Sequence, residues 1–253
     1  MSERVRLSVV VVTLDEEERI RPCLESVAWA DEIIVVDAES RDKTVAIARE
    51  LTDHVFVRSW PGYAAQKNFG LEQARGKWIL SLDADEIVSP ELHAEIATIV
   101  EREDDQHAGY AVPRRNIFWG RWVRYGGLYP DWQVRLLARG RGRFVERSVH
   151  ESIRVDGSVA RLQSHLEHRS YRDVADFLAR ADRYATLAAD EWAAAGRRSR
   201  PFVDMVGRPL GRFLGMYVVR AGFLDGWRGF LLAVLYGYYV LMRSAKLWER
   251  TKP

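Results

Sequence analysis

The amino-acid sequence predicts an α/β fold, a mostly parallel sheet flanked by helices, with an amphipathic helical extension at its C-terminal end. Two observations carry this. Uninterrupted β-branched runs, clearest at 7–12 and 33–36, read as strands buried on both faces, and they alternate with segments of helical periodicity. A third observation gives the fold a direction: the apolar runs end in acidic or turn-forming residues, at 13–16, 37–40 and 83–86. Ligands of open α/β sheets sit beyond the carboxyl ends of the strands, so these three ends should converge on one edge.

Taken in order, the first run leads into 17–29, where Ile20, Cys23, Leu24 and Val27 recur at helical spacing before the run ending at Asp37, completing a βαβ unit. Residues 44–51 read as a helix, 55–57 as a short strand, 63–74 as a helix and 78–82 as a strand. A helix over 90–103 and a strand over 110–113 follow. The Trp-, Gly- and Arg-rich stretch up to Pro130 has weak periodicity and is expected to be a loop over the site. Residues 133–137 read as a strand, and 173–195 as an amphipathic helix with Val174, Phe177, Leu178, Ala181, Tyr184, Ala188 and Trp192 on one face. These elements suggest a catalytic domain over 1–170 and a helical extension over 171–253.

Composition narrows the function. A formal net charge of +2 lacks the basic excess of a nucleic-acid binder, so no nucleic-acid partner is expected. The single cysteine, Cys23, excludes an intramolecular disulfide and a cysteine-based metal cluster. The first apolar run flows into acidic residues without a small-residue cleavage site, and so reads as a strand rather than a signal peptide.

The sharpest chemical feature is WILSLDADE, where an apolar strand delivers Asp83 and Asp85 with one small residue between them. Mg²⁺ and Mn²⁺ prefer oxygen ligands and bridge protein carboxylates to phosphates, which suits the departure of a nucleoside diphosphate. The competing reading is that both aspartates cap the next helix and solvate a turn. The strand end VVDAESRDKT argues for the former, since Asp37 is placed to accept from a pyrimidine N–H. A sugar nucleotidyltransferase would also put acids at strand ends, but it would show a Gly-rich phosphate loop where this chain reads TLDEEE. A non-catalytic membrane adaptor would leave the three acidic strand ends without a use.

These motifs together resemble the family-2 glycosyltransferases, which share the GT-A nucleotide-sugar-binding fold. The resemblance implies that Thr13, Asp15 and Glu16 form the first nucleotide-contacting loop, that Asp37 binds the base, and that Asp83 and Asp85 are the DxD pair with Asp85 the metal ligand. Leu14 stands where many relatives carry an aromatic residue. Gln66, Lys67 and Asn68 match a polar cluster near the nucleotide-sugar, where Lys67 would meet a phosphate; the competing reading is a solvated helix face. An inverting transfer needs a carboxylate base, for which Asp131 and Glu151 are candidates, with Asp131 preferred. His150 is a candidate to complete the metal shell and Arg135 to face the diphosphate.

The segments YPDWQVRLLARGRGRF and SVHES, with the C-terminal GFLDGWRGFLLAVLYGYYVLMRSAKLWE, look like the lipopolysaccharide core glycosyltransferases that add glucose to inner-core heptose. That implies a UDP-sugar donor, a divalent metal, Mg²⁺ or Mn²⁺, and a lipid-linked glycan acceptor; a polyprenyl phosphate or another surface polysaccharide is the competing acceptor. Independently, 209–248 mixes Phe213, Tyr217, Phe223, Trp227 and Phe230 with Arg208, Arg212, Arg220 and Arg228, as interfacial helices do. Its longest uncharged run, 229–242, falls short of the roughly 20 residues that span hydrocarbon. Peripheral association with the cytoplasmic face of the inner membrane is expected.

Overall fold

The computed structural model describes residues 5–102, 106–145 and 152–252. It divides into two compact units, Met1–Arg114 with Asp131–His168, and Arg115–Pro130 with Arg169–Pro253. The sequence boundary at 170 lies close to the second junction, but residues 115–130, expected in the first part, belong to the second unit.

The first unit opens with β1 (Leu7–Thr13), α1 (Ile20–Glu25), β2 (Glu32–Asp37), α2 (Thr44–Arg49), β3 (His54–Val57), α3 (Tyr63–Gln73) and β4 (Trp78–Asp83). Here β3, β2, β1 and β4 lie side by side and parallel, with Val12 opposite both Val36 and Asp83 and with Thr13 opposite Asp37. The acidic strand ends therefore share one edge, as expected. The sheet continues through β5 (Glu86–Val88), β6 (Gly109–Phe118), β8 (Asp131–Ala138) and β12 (Leu166–Tyr171), in the order β3-β2-β1-β4-β8-β6-β12-β5. Pairings β4–β8, β6–β8 and β5–β12 are antiparallel, so the sheet is mixed, with its parallel half in the N-terminal βαβ repeats. None of these antiparallel partners is joined by a short turn: β4 and β8, and β5 and β12, are far apart in sequence, and β7 (Arg121–Trp122) lies between β6 and β8. A separate hairpin joins β9 (Gly142–Val145) to β10 (Ser152–Val155), and β11 (Val159–Arg161) runs parallel to β6.

Both faces of the parallel strands are covered. Val9, Val11, Leu80 and Leu82 pack with Ile20, Cys23 and Leu24 of α1 and with Leu92 and Ile96 of α4 (Pro90–Glu101). Val10, Ile34, Val36 and Ile79 face α3 on the other side. Ser89 starts α4, accepting a hydrogen bond from Leu92 N, with Pro90 in the first turn. Helix α1 is much shorter than the 17–29 periodicity suggests: it starts at Ile20, accommodates Pro22 in its first turn and stops at Glu25, with Ser26 as its C-cap. Gly70 lets α3 approach closely: a Cβ there would lie 2.3 Å from Val10 Cγ1.

In the second unit, the stretch expected to be a loop is partly strand. The distal part of β6 pairs with β7 (Arg121–Trp122), and Phe118 is buried because β6 continues its alternation past Pro113 and Arg114. Helix α5 (Val174–Ala194) begins at Asp173, whose carboxylate accepts from Asp176 N, and ends before Gly196. Its buried face is Phe177, Ala181, Ala185, Ala188 and Ala189; Val174 and Leu178 are exposed, so the face is rotated from the predicted one. The alanines allow close packing of α7 (Trp227–Thr251), with Leu235 against Phe177 and Ala181. Before α7 run a π-helical turn at Phe202–Gly207, α6 (Arg208–Leu214) and a second π-helical turn at Gly215–Val219. Phe202, Val206, Leu210, Leu214, Val218 and Val219 are all exposed, Phe202 at 88%. Helix α7 is, by length and composition, long and apolar enough to cross a membrane, which the uncharged run alone did not suggest; 39% of its most apolar window is buried.

Candidate active site

The ends of β1 and β2 are stitched into one rim. Asp15 N donates to Ser40 Oγ and Arg41 N to Asp15 Oδ1, while Glu16 N donates to Thr44 Oγ1 and Lys43 N to Glu17 Oε2. Asp15 and Glu39 both take left-handed backbone, φ 53° and 63°, a cost tolerated at sites whose surroundings over-determine the geometry. Asp37 is fully buried, its Oδ1 accepting from Ser40 N at 2.9 Å and its Oδ2 from Ser40 Oγ. The Thr13 hydroxyl is buried with no hydrogen-bond partner. Leu14 is exposed.

At the end of β4, opposite charges alternate. Lys67 Nζ lies 2.9 Å from Asp83 Oδ1, and Arg135 Nη2 lies 2.7 Å from Asp83 Oδ2 and 2.5 Å from Glu86 Oε1. Arg114 lies 3.2 Å from Glu86 Oε1 and 2.6 Å from Asp131 Oδ2. Burial opposes ionisation of Asp83, but Lys67, Arg135 and Arg114 outweigh it and hold the carboxyl well below its ordinary range. The same contest lowers Asp131, where Arg114 and a hydrogen bond from Gln133 win over burial. Arg135 is pushed up by Glu86 and Asp83 against burial.

Lys67 and Arg135, expected to face phosphate, are thus buried and turned to Asp83, and both Asp83 oxygens are engaged. Asn68 is spent on the backbone of β9, donating to Phe144 O and accepting from Phe144 N, each at 2.9 Å. Gln66 is buried with both amide atoms unpartnered. Glu86 and Arg114 had no motif to mark them: Glu86 reads as the tail of the DADE run, and Arg114 lies in a strand that breaks the expected period.

Asp85 has different surroundings. Its Oδ2 lies 3.4 Å from His168 Nε2 and 3.9 Å from Arg19 Nη1, while Oδ1 is buried with no hydrogen-bond partner among the described residues. Burial and Asp83 oppose its ionisation, and His168 with Arg19 lowers it nonetheless. An orphaned, ionised carboxylate oxygen is costly unless something positive meets it. Asp85 with His168 therefore fits a divalent cation, although no group of three or more acidic, His or Cys ligands gathers among the described residues. Mg²⁺ and Mn²⁺ commonly complete their shells with water and substrate phosphates. His168 was missed because it sits in an ordinary strand, and only the register opposite Glu86 brings it to the site. His150 and Glu151 lie outside the described residues. A cavity of about 770 Å³ in the first unit opens elsewhere, beside Trp78 and Tyr110 at the start of β4.

Known proteins resemble this chain in sequence and fold. The glycosyl transferase family 2 model matches residues 8–168. A lipopolysaccharide core biosynthesis glycosyltransferase of Rhizobium meliloti is 31% identical, covering 99% of this chain and 94% of its own length. An uncharacterised glycosyltransferase of Rickettsia typhi is 29% identical over 96% of this chain and 87% of its own. In fold, the chain is similar to a mannosyltransferase from Pyrobaculum calidifontis solved with GDP-Man and Mn²⁺, with a TM-score of 0.55 at 15% identity, over 98% of this chain and 88% of that one. The family match spans all three acidic strand ends, and the chain belongs to glycosyl transferase family 2 and is a glycosyltransferase.

Proposed function

We propose that this glycosyltransferase moves a hexose, glucose from UDP-glucose, with inversion onto a lipopolysaccharide inner core or a related lipid-linked glycan. The Rhizobium meliloti relative, whose name places it in lipopolysaccharide core biosynthesis, supports the acceptor class, since the similarity runs through the helical unit as well. The observation that carries the donor chemistry is the buried, unpartnered Asp85 Oδ1 beside His168.

In this reading Asp85 and His168 hold Mg²⁺ or Mn²⁺, which when bound supplies positive charge to the departing diphosphate. Asp83, fixed by Lys67 and Arg135, sets the end of β4 in position. Thr13, Asp15, Glu16 and Asp37 form the nucleotide side, and Asp131 or Glu151 takes the acceptor proton. The exposed apolar residues of 202–230 support peripheral contact with the cytoplasmic face of the membrane, where a lipid-linked acceptor would be presented.

Calorimetric titration with UDP, with and without Mn²⁺, tests the reading on wild type and Asp85→Ala. Metal-dependent binding that the substitution weakens is expected. Undiminished metal-dependent binding in the variant removes Asp85 from the metal site, and no binding of any nucleoside diphosphate removes the donor. Product analysis with heptose-containing lipid cores against polyprenyl phosphates then decides the acceptor.

A further inference from the structure

Within the second unit, Arg208 and Arg212 of α6 and Arg243 of α7 line a cavity of about 370 Å³ with Tyr239 and Val240. Arg208 is compensated, its Nε lying 2.8 Å from Asp204 Oδ1. Arg212 and Arg243 have no carboxylate partner among the described residues. The Arg212 guanidinium lies 5.2 Å from the Tyr236 ring centroid, and those of Arg243 and Arg197 lie 4.2 and 3.9 Å from that of Trp192. Arg243 Nε is buried with no hydrogen-bond partner among the described residues. Burial pushes the Arg243 pKa down, and Arg197 and Arg208 add repulsion that Tyr239 only partly offsets. Arg212 and Arg243 thus bring two guanidinium groups without matching carboxylates to one cavity, and their forked donors suit phosphate oxygens.

We propose that Arg212 and Arg243, assisted by Arg208, bind the phosphate of a membrane lipid. The placement of the apolar residues argues for a lipid source. Leu210 and Leu214, both exposed, recur four residues apart on α6, and so do Arg208 and Arg212, offset by two positions and hence on roughly the opposite face. An interfacial helix sinks its apolar face about 5–10 Å into the headgroup boundary. With a helix about 10 Å across, the arginine face then stands at the level of the lipid phosphates. The inference rests on the membrane contact in the proposed function and is independent of the transfer chemistry.

The test is co-sedimentation of the full chain with phosphatidylcholine vesicles, with and without phosphatidylglycerol, alongside UDP binding in the same samples. Arg212→Gln/Arg243→Gln should weaken binding to anionic vesicles on the order of tenfold or more, while leaving UDP binding and helical content unchanged. Arg169→Gln/Arg198→Gln removes equal charge from exposed positions of the same unit and should change binding less than about twofold. Arg212→Lys/Arg243→Lys, which keeps charge but loses the fork, should fall between. Equal losses from the first two pairs would reduce the site to bulk charge and overturn the proposal, as would wild-type binding indifferent to phosphatidylglycerol. Millimolar inorganic phosphate that stabilises the wild type against heat more than anionic vesicles do would mark a free-anion site instead of a lipid one. If UDP binding fails while vesicle binding behaves as stated, the donor assignment falls and this one stands.

Discussion

Replacing Glu86 by Gln removes the buried carboxylate that two guanidinium groups share. Glu86 Oε1 accepts from Arg135 Nη2 and Arg114 Nη1, and Oε2 accepts from Asp83 N at 3.0 Å. The connected groups, Lys67, Arg114 and Arg135 against Asp83, Glu86 and Asp131, are charge-balanced; the substitution leaves one positive charge uncompensated in a buried place. Breaking a buried ion pair from one side costs about 3–5 kcal/mol, against about 1 kcal/mol for a lost neutral hydrogen bond. With a urea dependence of about 2 kcal/mol per molar, the unfolding midpoint should fall by roughly 2 M. Adding Arg135→Met restores the balance, and the double variant should regain part of that loss, giving a coupling of about 2 kcal/mol in a double-mutant cycle. A shift below about 0.5 M, or a double variant less stable than either single one, would refute the claim that compensation of charge holds this end of the sheet together.

Asp83, Asp85 and Asp131 all sit below their ordinary value of 3.8 in the folded chain. Their contribution to stability is full above the unfolded-state value and is lost as pH falls through the lower folded-state values. Denaturation midpoints should therefore be flat from pH 7 to about 5 and drop below about 4. If Asp131 is the base, the acidic limb of kcat/KM should lie below the ordinary aspartate range, because the ionised form is needed and Arg114 favours it in the free chain. A limb near pH 6 that survives Asp131→Asn would transfer the role to Glu151. In the second unit, a Cβ at Gly229 would lie 1.8 Å from Gly222 O, and backbone cannot rotate aside. Gly229→Ala should cost about 1–3 kcal/mol or more, seen as a lower unfolding midpoint, and an unchanged midpoint would mean that the turn before α7 can shift freely.

The parallel half of the fold was legible because strands buried on both faces leave near-continuous apolar runs, β-branched in Leu7–Thr13 and Glu32–Asp37 and carried by Trp78, Ile79, Leu80 and Leu82 in Trp78–Asp83. The antiparallel half was not. Strand β6 carries Pro113, Arg114, Arg115 and Asn116 in its middle, so neither its period nor its hydropathy marks it as a ten-residue strand. Those polar residues are there because the strand carries part of the charged network: Arg114 reaches Glu86 and Asp131 from it. Its continuation past Arg114 also placed 115–130 in the second unit. The helical unit was legible in its caps and lengths, since Asp173 and Gly196 bracket α5, but its buried face was rotated because small alanines, silent in an apolar pattern, make the contact with α7.

The pairing of Asp83 with Asp85 shows where spacing stops carrying chemical information. With a single residue between them in sequence, both looked like ligands of one cation. Asp83 is the last residue of β4, on the side that Lys67 and Arg135 occupy, so cations of the protein itself consume both of its oxygens. Asp85 lies past the strand end, towards Arg19 and His168, where one oxygen keeps no partner. Two carboxylates free to share an ion would repel each other; with Asp83 neutralised by its own bridges, the charge left for a metal is concentrated on Asp85. It follows that Asp83→Asn should act mainly through stability, by releasing Lys67 and Arg135, whereas Asp85→Asn should act mainly through metal-dependent nucleotide binding. Midpoint and Mn²⁺-dependent UDP affinity measured on the two variants separate these roles, and equal effects of both substitutions on both readouts would show that the aspartates act as one site.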